Sequence, residues 1–294
     1  MDLRRRYFVN NPDTNNDIEV LFETVLCQTQ PLFSVIMPIH NQRDIIRRNV
    51  QAVLDNTSDK FELILILDAC SDDTEDQIRD LPYDSQPLLG RVFVLKSRVP
   101  MFETACDNLG FFCARGRYLI EVQADIEITE YGYNQRLLAP MLTVPTMIGI
   151  SGRCCHCWAP TSTADRVGRI QGNEDMSSVP RNAFFIGETA NRGPLMFDAV
   201  KLRQVGYLDE RNFFLEDSDH DLFKRAYIQR GFLCGYVPIG FNSPVADGST
   251  RKPRDAPNQQ AWTQKRAQYD RKQGFLFRAP NPPKRAIRAL TIRP

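Results

Sequence analysis

Residues 117–125 read Arg-Tyr-Leu-Ile-Glu-Val-Gln-Ala-Asp, RYLIEVQAD. Tyr118, Leu119, Ile120 and Val122 make a short, mostly apolar run that ends on Gln123, Ala124 and Asp125. This is the pattern of a buried strand whose carboxyl end delivers polar groups into a crevice. A carboxylate at such a tip is placed to ligate a divalent metal, which would neutralise a diphosphate; it is equally placed to cap the next turn. The tip alone leaves both readings open.

Upstream, the same alternation of strand and helix recurs. FSVIMPIH (33–40) is an apolar, β-branched run, followed through a turn at Asn41 to Asp44 by Ile45, Ile46, Val50, Val53 and Leu54 at helical spacing. FELILIL (61–67) is a second apolar strand ending at Asp68, and the acidic turn ACSDDTED after it opens a short helix. Arg91 to Leu95 reads as a third strand, and Met101 to Arg115 as a helix with Phe102, Ala105, Leu109 and Phe112 or Cys113 on one face. Strands and helices alternating at spacings too long for hairpins predict a parallel sheet covered by helices on both sides. Ligands of such sheets sit beyond the carboxyl ends of the strands, where His40, Asn41, Asp68 and Asp125 fall.

Downstream, a helix is expected from Tyr131 to Leu142 and a strand from Thr146 to Ser151, whereas residues 152–192 are poorly patterned. Gly193 to Phe197 returns to a strand, Asp198 N-caps a helix from Ala199 to Val205, and Gly206 ends it. In NFFLEDSDHDLFKRAYIQRG (212–231), Leu222, Phe223, Ala226 and Tyr227 share a helical face and Gly231 is the stop. Glu216, Asp217, Asp219 and Asp221 crowd the start of that helix. The helix dipole favours negative charge there, but four acids in six residues exceed what capping requires. Residues 1–32 read as an arm with a short helix from Ile18 to Cys27, and 259–273 as a surface helix.

The chain has 294 residues, enough for one large α/β domain with appendages. It holds no apolar run of membrane-spanning length, and its start, MDLRRRYFVNNPDTNND, lacks an apolar signal region, so a soluble, cytoplasmic protein is expected. Eight scattered cysteines do not form a secreted disulfide framework. Cys154, Cys155, His156 and Cys157 carry zinc-ligand chemistry without the spacing of ligand pairs, which favours a loop over a zinc site. Net charge is +1, split between +10 from Arg251 onward and −9 before it. A basic tail beside an acidic body suits polyanions, phospholipid or a small diphosphate, or is simply a solvated extension.

Taken in order, these pieces resemble the family 2 glycosyltransferases of the GT-A fold over roughly residues 33–247. SVIMPIHNQRDIIRRNVQAVLDNT is similar to the family's first strand, Pro-x-x-Asn turn and first helix; ILDACSDDT matches its Asp-Gly-Ser-Thr-Asp-x-Thr turn at Asp68, Asp72 and Thr74. ACDNLGFFCARGRYLIEVQAD resembles the series leading into the family's Asp-x-Asp motif, with Gln123 in place of its first Asp. The resemblance implies a Rossmann-like, mostly parallel α/β sheet in a single domain. Its nucleotide-binding half would be 33–130 and its acceptor-binding half 131–247, between an N-terminal arm (1–32) and a basic C-terminal extension (248–294).

By the same resemblance, a sugar passes from a nucleotide donor, a UDP-sugar, to a glycan or other acceptor hydroxyl with Mg²⁺ or Mn²⁺; no nucleic acid is involved. Pro38, His40, Asn41 and Arg43 would line the nucleoside pocket, Asp68 would bond the base or ribose, and Asp125 would bind the metal beside Gln123 and Ala124. Glu127 would assist where Gln123 brings no charge, and Asp247, in ADGS where family members often carry a His, would approach the metal. Gly193 and Pro194 would floor the acceptor site. Apart from the resemblance, Arg251, Lys252 and Arg254 sit where a lid would close over the diphosphate, or where a loose loop would lie. FLEDSDHDLFKRA matches the family's Glu-Asp motif in either of two registers, the downstream one placing Asp219 as the base and the other Glu216 and Asp217. Direct displacement by an Asp base implies inversion. The rival is an inactive member kept for binding or scaffolding, motivated by Gln123. Nucleotidyl transfer would call for a Gly-rich, basic loop where this chain reads PIHNQRD.

Overall fold

The runs at 33–39 and 61–68 carry no polar face, so both strands must be covered on two sides. A computed structural model, describing residues 17–157, 166–169, 174–248, 255–272 and 287–292, places them side by side in the interior of a ten-stranded sheet. The first half of the chain runs β1 (Ile18–Val25), β2 (Phe33–Ile39), α1 (Ile46–Asn56), β3 (Phe61–Asp68), α2 (Thr74–Arg79), β4 (Leu89–Ser97), α3 (Glu103–Cys113) and β5 (Tyr118–Glu121). β2 lies parallel to both β3 and β5, and β3 parallel to β4. The predicted parallel β–α array is therefore present, with all four carboxyl ends on one edge.

The second half continues β6 (Glu127–Ile128), α4 (Tyr133–Thr143), β7 (Met147–Ser151), β8 (Cys154–His156), β9 (Arg166–Gly168), β10 (Ala183–Gly187), β11 (Thr189–Ala190) and β12 (Leu195–Asp198). α5 (Ala199–Val205), α6 (Ser218–Arg230), β13 (Leu233–Tyr236), β14 (Phe241–Asn242), α7 (Ala256–Lys272) and β15 (Arg288–Thr291) complete it. The large sheet has the order β1-β4-β3-β2-β5-β12-β7-β13-β10-β15. β12 sits antiparallel between β5 and β7, which hands the chain from the first half to the second. Part of the unpatterned stretch 152–192 forms short strands, β8, β9 and β11 pairing as a separate small sheet.

The arm differs from expectation. Ile18–Val25 is a strand antiparallel to β4, not a helix. Ile18, Val20, Thr24 and Val25 are β-branched, and the open edge of β4 offers ladder hydrogen bonds to a segment too short to hold a helix alone. At the far edge β15 pairs antiparallel with β10, so both terminal segments extend the same sheet.

Two apolar layers sandwich the sheet. Val50, Val53, Tyr133 and Leu137 pack from α1 and α4 on one face. Leu109, Phe111, Leu202, Leu222 and Phe223 pack from α3, α5 and α6 on the other. Gly110 lets α3 approach β2, since a Cβ there would lie 2.3 Å from Ile36 Cγ2. Asp198 accepts from the N–H groups of Val200 and Lys201, both at 3.0 Å, and so caps α5; Gly206, at φ +88°, ends it, as expected. No helix among the described residues is long and apolar enough to cross a membrane.

Candidate active site

The carboxyl ends of β2 and β3 are stapled together by the residues that follow them. His40 Nδ1 lies 2.7 Å from the Asp68 carbonyl oxygen. The Asn41 side chain accepts from Ser71 N–H at 2.8 Å and donates to Ser71 Oγ at 3.2 Å. Asp72 accepts from the N–H groups of Arg43 (3.3 Å) and Thr74 (3.1 Å). Pro38 is half-buried within β2 opposite Ile66, while the Arg43 side chain is exposed, 3.6 Å from Asp44.

Asp68 itself is buried, and its two oxygens accept from Met101 N–H (2.7 Å) and Phe102 N–H (2.9 Å). Burial raises its pKa despite those bonds and the nearby His40. In this structure the carboxylate therefore holds the turn that opens α3. Non-glycine residues with positive φ gather around this edge: Asn41 (49°), Ala69 (45°), Phe102 (67°) and Asp217 (63°). Such backbone is costly unless its surroundings enforce it, and it concentrates at functional sites.

Beyond β5, the Gln123 amide donates to Glu103 Oε1 at 2.7 Å, and its oxygen accepts from Arg153 Nη2 at 3.4 Å. Gly193 lies against it: at φ +59°, a Cβ would fall 2.7 Å from Gln123 Oε1, so only glycine fits. The Ala124 carbonyl accepts from Asn49 Nδ2 at 2.7 Å, which fixes the turn, and Asp125 is half-buried one residue further. Pro194, joined to Gly193 by a cis bond, accepts from Gly152 N–H at 2.7 Å. Asp247 comes in from a short 3-10 turn, its carboxylate 3.8 Å from Arg48 and its carbonyl accepting from Gln42 Nε2 at 2.9 Å. Arg48 also lies 3.7 Å from Glu127, so Asp247 and Glu127 share one cation.

The acidic start of α6 divides. Asp219 is buried and accepts from Arg192 N–H at 3.0 Å and His220 N–H at 2.9 Å. Burial alone would raise its pKa, but the charges of His220 and Arg192 and these two N–H bonds lower it. Asp217 sits left-handed at the N-cap, with its carbonyl accepting from Asp221 N–H. Glu216 points outward and is bridged by both terminal nitrogens of Arg266, at 2.9 and 3.1 Å. Asp221 pairs with Arg225 at 2.6 Å. The helix phase thus turns Asp219 toward the strand tips and Glu216 toward α7.

α7 lies across the same edge. Asn258 Nδ2 donates to the Ala69 carbonyl at 3.3 Å, and Ala261 and Trp262 pack on Phe102, Phe213 and Phe214. His156 and His220 meet edge to face at 5.5 Å, with His156 bonded to Asn191. Burial, then the neighbouring His220, lowers the pKa of His156. All eight cysteines are free, and burial pushes the Cys154 thiol up to about 12, so it is no ready thiolate ligand. Arg251, Lys252 and Arg254 lie outside the described residues.

The structure adds residues that sequence reasoning passed over. Arg192 Nη1 lies 2.8 Å from Asp107 and 3.4 Å from Glu103; Nη2 donates to Thr104 Oγ1 at 3.0 Å and to Ser218 Oγ. Glu121 accepts from Gly193 N–H at 3.3 Å. Glu103, Asp107 and Glu121 bring oxygens within 4.8 Å of one another, but the Arg192 guanidinium already lies against Glu103 and Asp107, which disfavours a second cation there. Arg153 donates from Nε to the carbonyls of Arg192 (3.1 Å) and Gly193 (2.9 Å). Glu121 had a visible signal, an acid inside an apolar strand; Arg153 and Arg192 lie in the stretch without periodicity and had none.

A family model described as glycosyl transferase family 2 matches residues 34–190. A Bacillus subtilis (strain 168) protein named "Putative teichuronic acid biosynthesis glycosyltransferase TuaG" is 30% identical over 96 residues, 33% of this chain. The match spans about a third of that relative's own length, 36%. Among solved structures, a mannosyltransferase from Pyrobaculum calidifontis in complex with GDP-Man and Mn²⁺ superposes with TM-score 0.58 at 15% identity, over 87% of this chain and 67% of that one. GalNAc-T7 with UDP, GalNAc and Mn²⁺ superposes with TM-score 0.56 at 13% identity, over 86% and 52%. At such identities the likeness is one of fold.

Proposed function

This chain belongs to glycosyl transferase family 2 and has the GT-A fold, and from that premise we propose an inverting glycosyltransferase that moves a sugar from a UDP-sugar to an acceptor hydroxyl in the cytoplasm. One observation carries the reading. An unbroken run of contacts leads from Gln123 at the β5 tip through Gly193 and Arg192 to the buried Asp219. It links a strand tip to a buried carboxylate whose pKa is held low, which supports reading the tip as the donor side and Asp219 as the acceptor side of a displacement at an anomeric carbon.

In this proposal Asp219 accepts the proton of the attacking hydroxyl, with Asp217 and Glu216 at the mouth of the acceptor side. Pro38, His40, Asn41 and Arg43 border the nucleoside, and Asp68 orders the turn beneath it. Gly193 and Pro194 floor the acceptor site, and Arg251 meets the diphosphate. Residues 33–130 serve the nucleotide and 131–247 the acceptor. A divalent ion suits the oxygen donors present: Asp125, with Asp247, would hold Mn²⁺ or Mg²⁺, and the ion when bound would offset the charge of the diphosphate. Gln123 supplies no charge, and Arg153, 3.4 Å from its oxygen, adds a fixed positive charge beside it.

The test is a donor panel. UDP and GDP are titrated with and without Mn²⁺, and slow hydrolysis is followed for a set of UDP- and GDP-sugars. The expected result is metal-strengthened UDP binding and hydrolysis of at least one UDP-sugar. Binding of UDP with no hydrolysis or transfer across the panel would favour the inactive, scaffolding alternative.

A further inference from the structure

The group around Arg192 has an unequal share of donors. Four carboxylates, Glu103, Asp107, Glu121 and Asp219, surround a single buried guanidinium. Asp219 receives two backbone N–H bonds. Asp107 Oδ1 and Glu121 Oε1, by contrast, are fully buried and have no hydrogen-bond partner. A buried carboxylate oxygen left bare is costly, and three uncompensated negative charges in one pocket would also drive Asp219 toward its protonated form.

We infer that Asp107 and Glu121 hold one proton between them, and that Arg192, held by Asp107 and Glu103, is a positioning residue that keeps Asp219 ionised and aimed at the cleft. The proton removes one of the surplus charges and turns one carboxylate oxygen from an acceptor into a donor. The charged and titratable groups facing the pair are Glu103 on the same helix, Arg192, and Asp219 with His220 behind it; Arg153 stands across Gln123. Burial first raises both pKa values; the charge of Glu121 adds to it for Asp107, and those of Glu103 and Asp219 add to it for Glu121, which is pushed up to about 8 despite Arg192. Arg192 touches no substrate in this scheme. Its side chain ties the 192–193 segment to Thr104 and Asp107 on α3 and to Ser218 on α6, and its main chain donates to Asp219.

The inference rests on Asp219 being the base, and two measurements separate the claims. The first reads the proton without catalysis. Because Glu121 is raised from its ordinary 4.5 to about 8, the stabilisation is complete below about 4.5 and is lost as pH rises to about 8. The melting temperature of the wild type should therefore decline across that window, and Glu121→Gln and Asp107→Asn, each with a permanently neutral amide, should decline distinctly less. Equal slopes in all three proteins would overturn the shared proton.

The second reads positioning. In Arg192→Gln, kcat should fall about 100-fold with the donor KM changed less than about threefold, and the acid limb of the kcat–pH profile should move upward as Asp219 loses the cationic charge beside it while keeping the main-chain N–H. Arg192→Lys should restore part of both. An unmoved acid limb in both variants would overturn the positioning role. Should Asp219→Asn retain full turnover, the base assignment falls, while the stability profile still decides the proton.

Discussion

Two guanidiniums lie buried among carboxylates at opposite ends of this sheet, and they are not alike. At the amino end, Arg91 bonds Glu23 at 2.6 Å and Glu62 at 2.8 Å, and the other oxygen of Glu62 accepts from Ser34 Oγ and Arg115 N–H. Every oxygen of that buried acid is met. At the carboxyl end, Arg192 faces more acids than it can serve, and two of their oxygens are left bare. A polar core built only for stability satisfies its members; a group that leaves some unsatisfied is where charge is being held for use.

The sharpest way to break this contrast is at Asp219. Replacing it with Asn should lower turnover about 10²–10⁴-fold with UDP affinity near normal, measured by product formation and nucleotide titration. Unchanged turnover would strip the carboxyl-end group of its catalytic meaning. At the amino end, Arg91→Met should destabilise the fold by about 3–5 kcal/mol in chemical denaturation, because Glu62 would be left buried without its cation. The acid limb of the rate profile should stay where it was.

Arg153 sharpens the contrast further, since it stands between the Gln123 amide and the 192–193 carbonyls. Arg153→Gln should raise the donor KM about tenfold, roughly 1.4 kcal/mol, with a smaller change in stability. The smallest effect is at Asp198, an amino-end acid paired with both nitrogens of Arg117 at 2.7 Å. Asp198→Ala should cost about 1 kcal/mol through the lost cap. Burial would raise the Asp198 pKa, but Arg117 and the α5 N–H groups outweigh it and bring it down to about 2 from 3.8. Its stabilisation is therefore present above 3.8 and lost as pH falls toward 2. The two ends of the sheet should thus respond to pH with opposite sign, Asp198 in acid and Glu121 toward base.

Much of this was legible from residues alone, for identifiable reasons. Phe33–Ile39 and Phe61–Asp68 could be read because a strand covered on both faces must be apolar throughout. Asp198 and Gly206 could be read because a cap and a stop act within one turn of helix. The downstream register of the acidic motif could be favoured because helical phase links Asp219 to Leu222 and Phe223, and the structure buries all three. Ile18–Val25 was misread as helical because its ladder partner, β4, lies some seventy residues along the chain.

Local pattern, then, reaches as far as interactions that close within a few residues: the parallel β–α array, the strand-tip placement of His40, Asn41, Asp68 and Asp125, and the acid-rich entry to α6 all follow from it. Which acids meet which cations lies beyond that reach. Arg192 and Asp107 are 85 positions apart, and Arg153 and Gln123 are 30 apart. Pairing at such range leaves no periodic trace, because an isolated charge looks the same in solvent as in a buried pocket until packing removes the water around it.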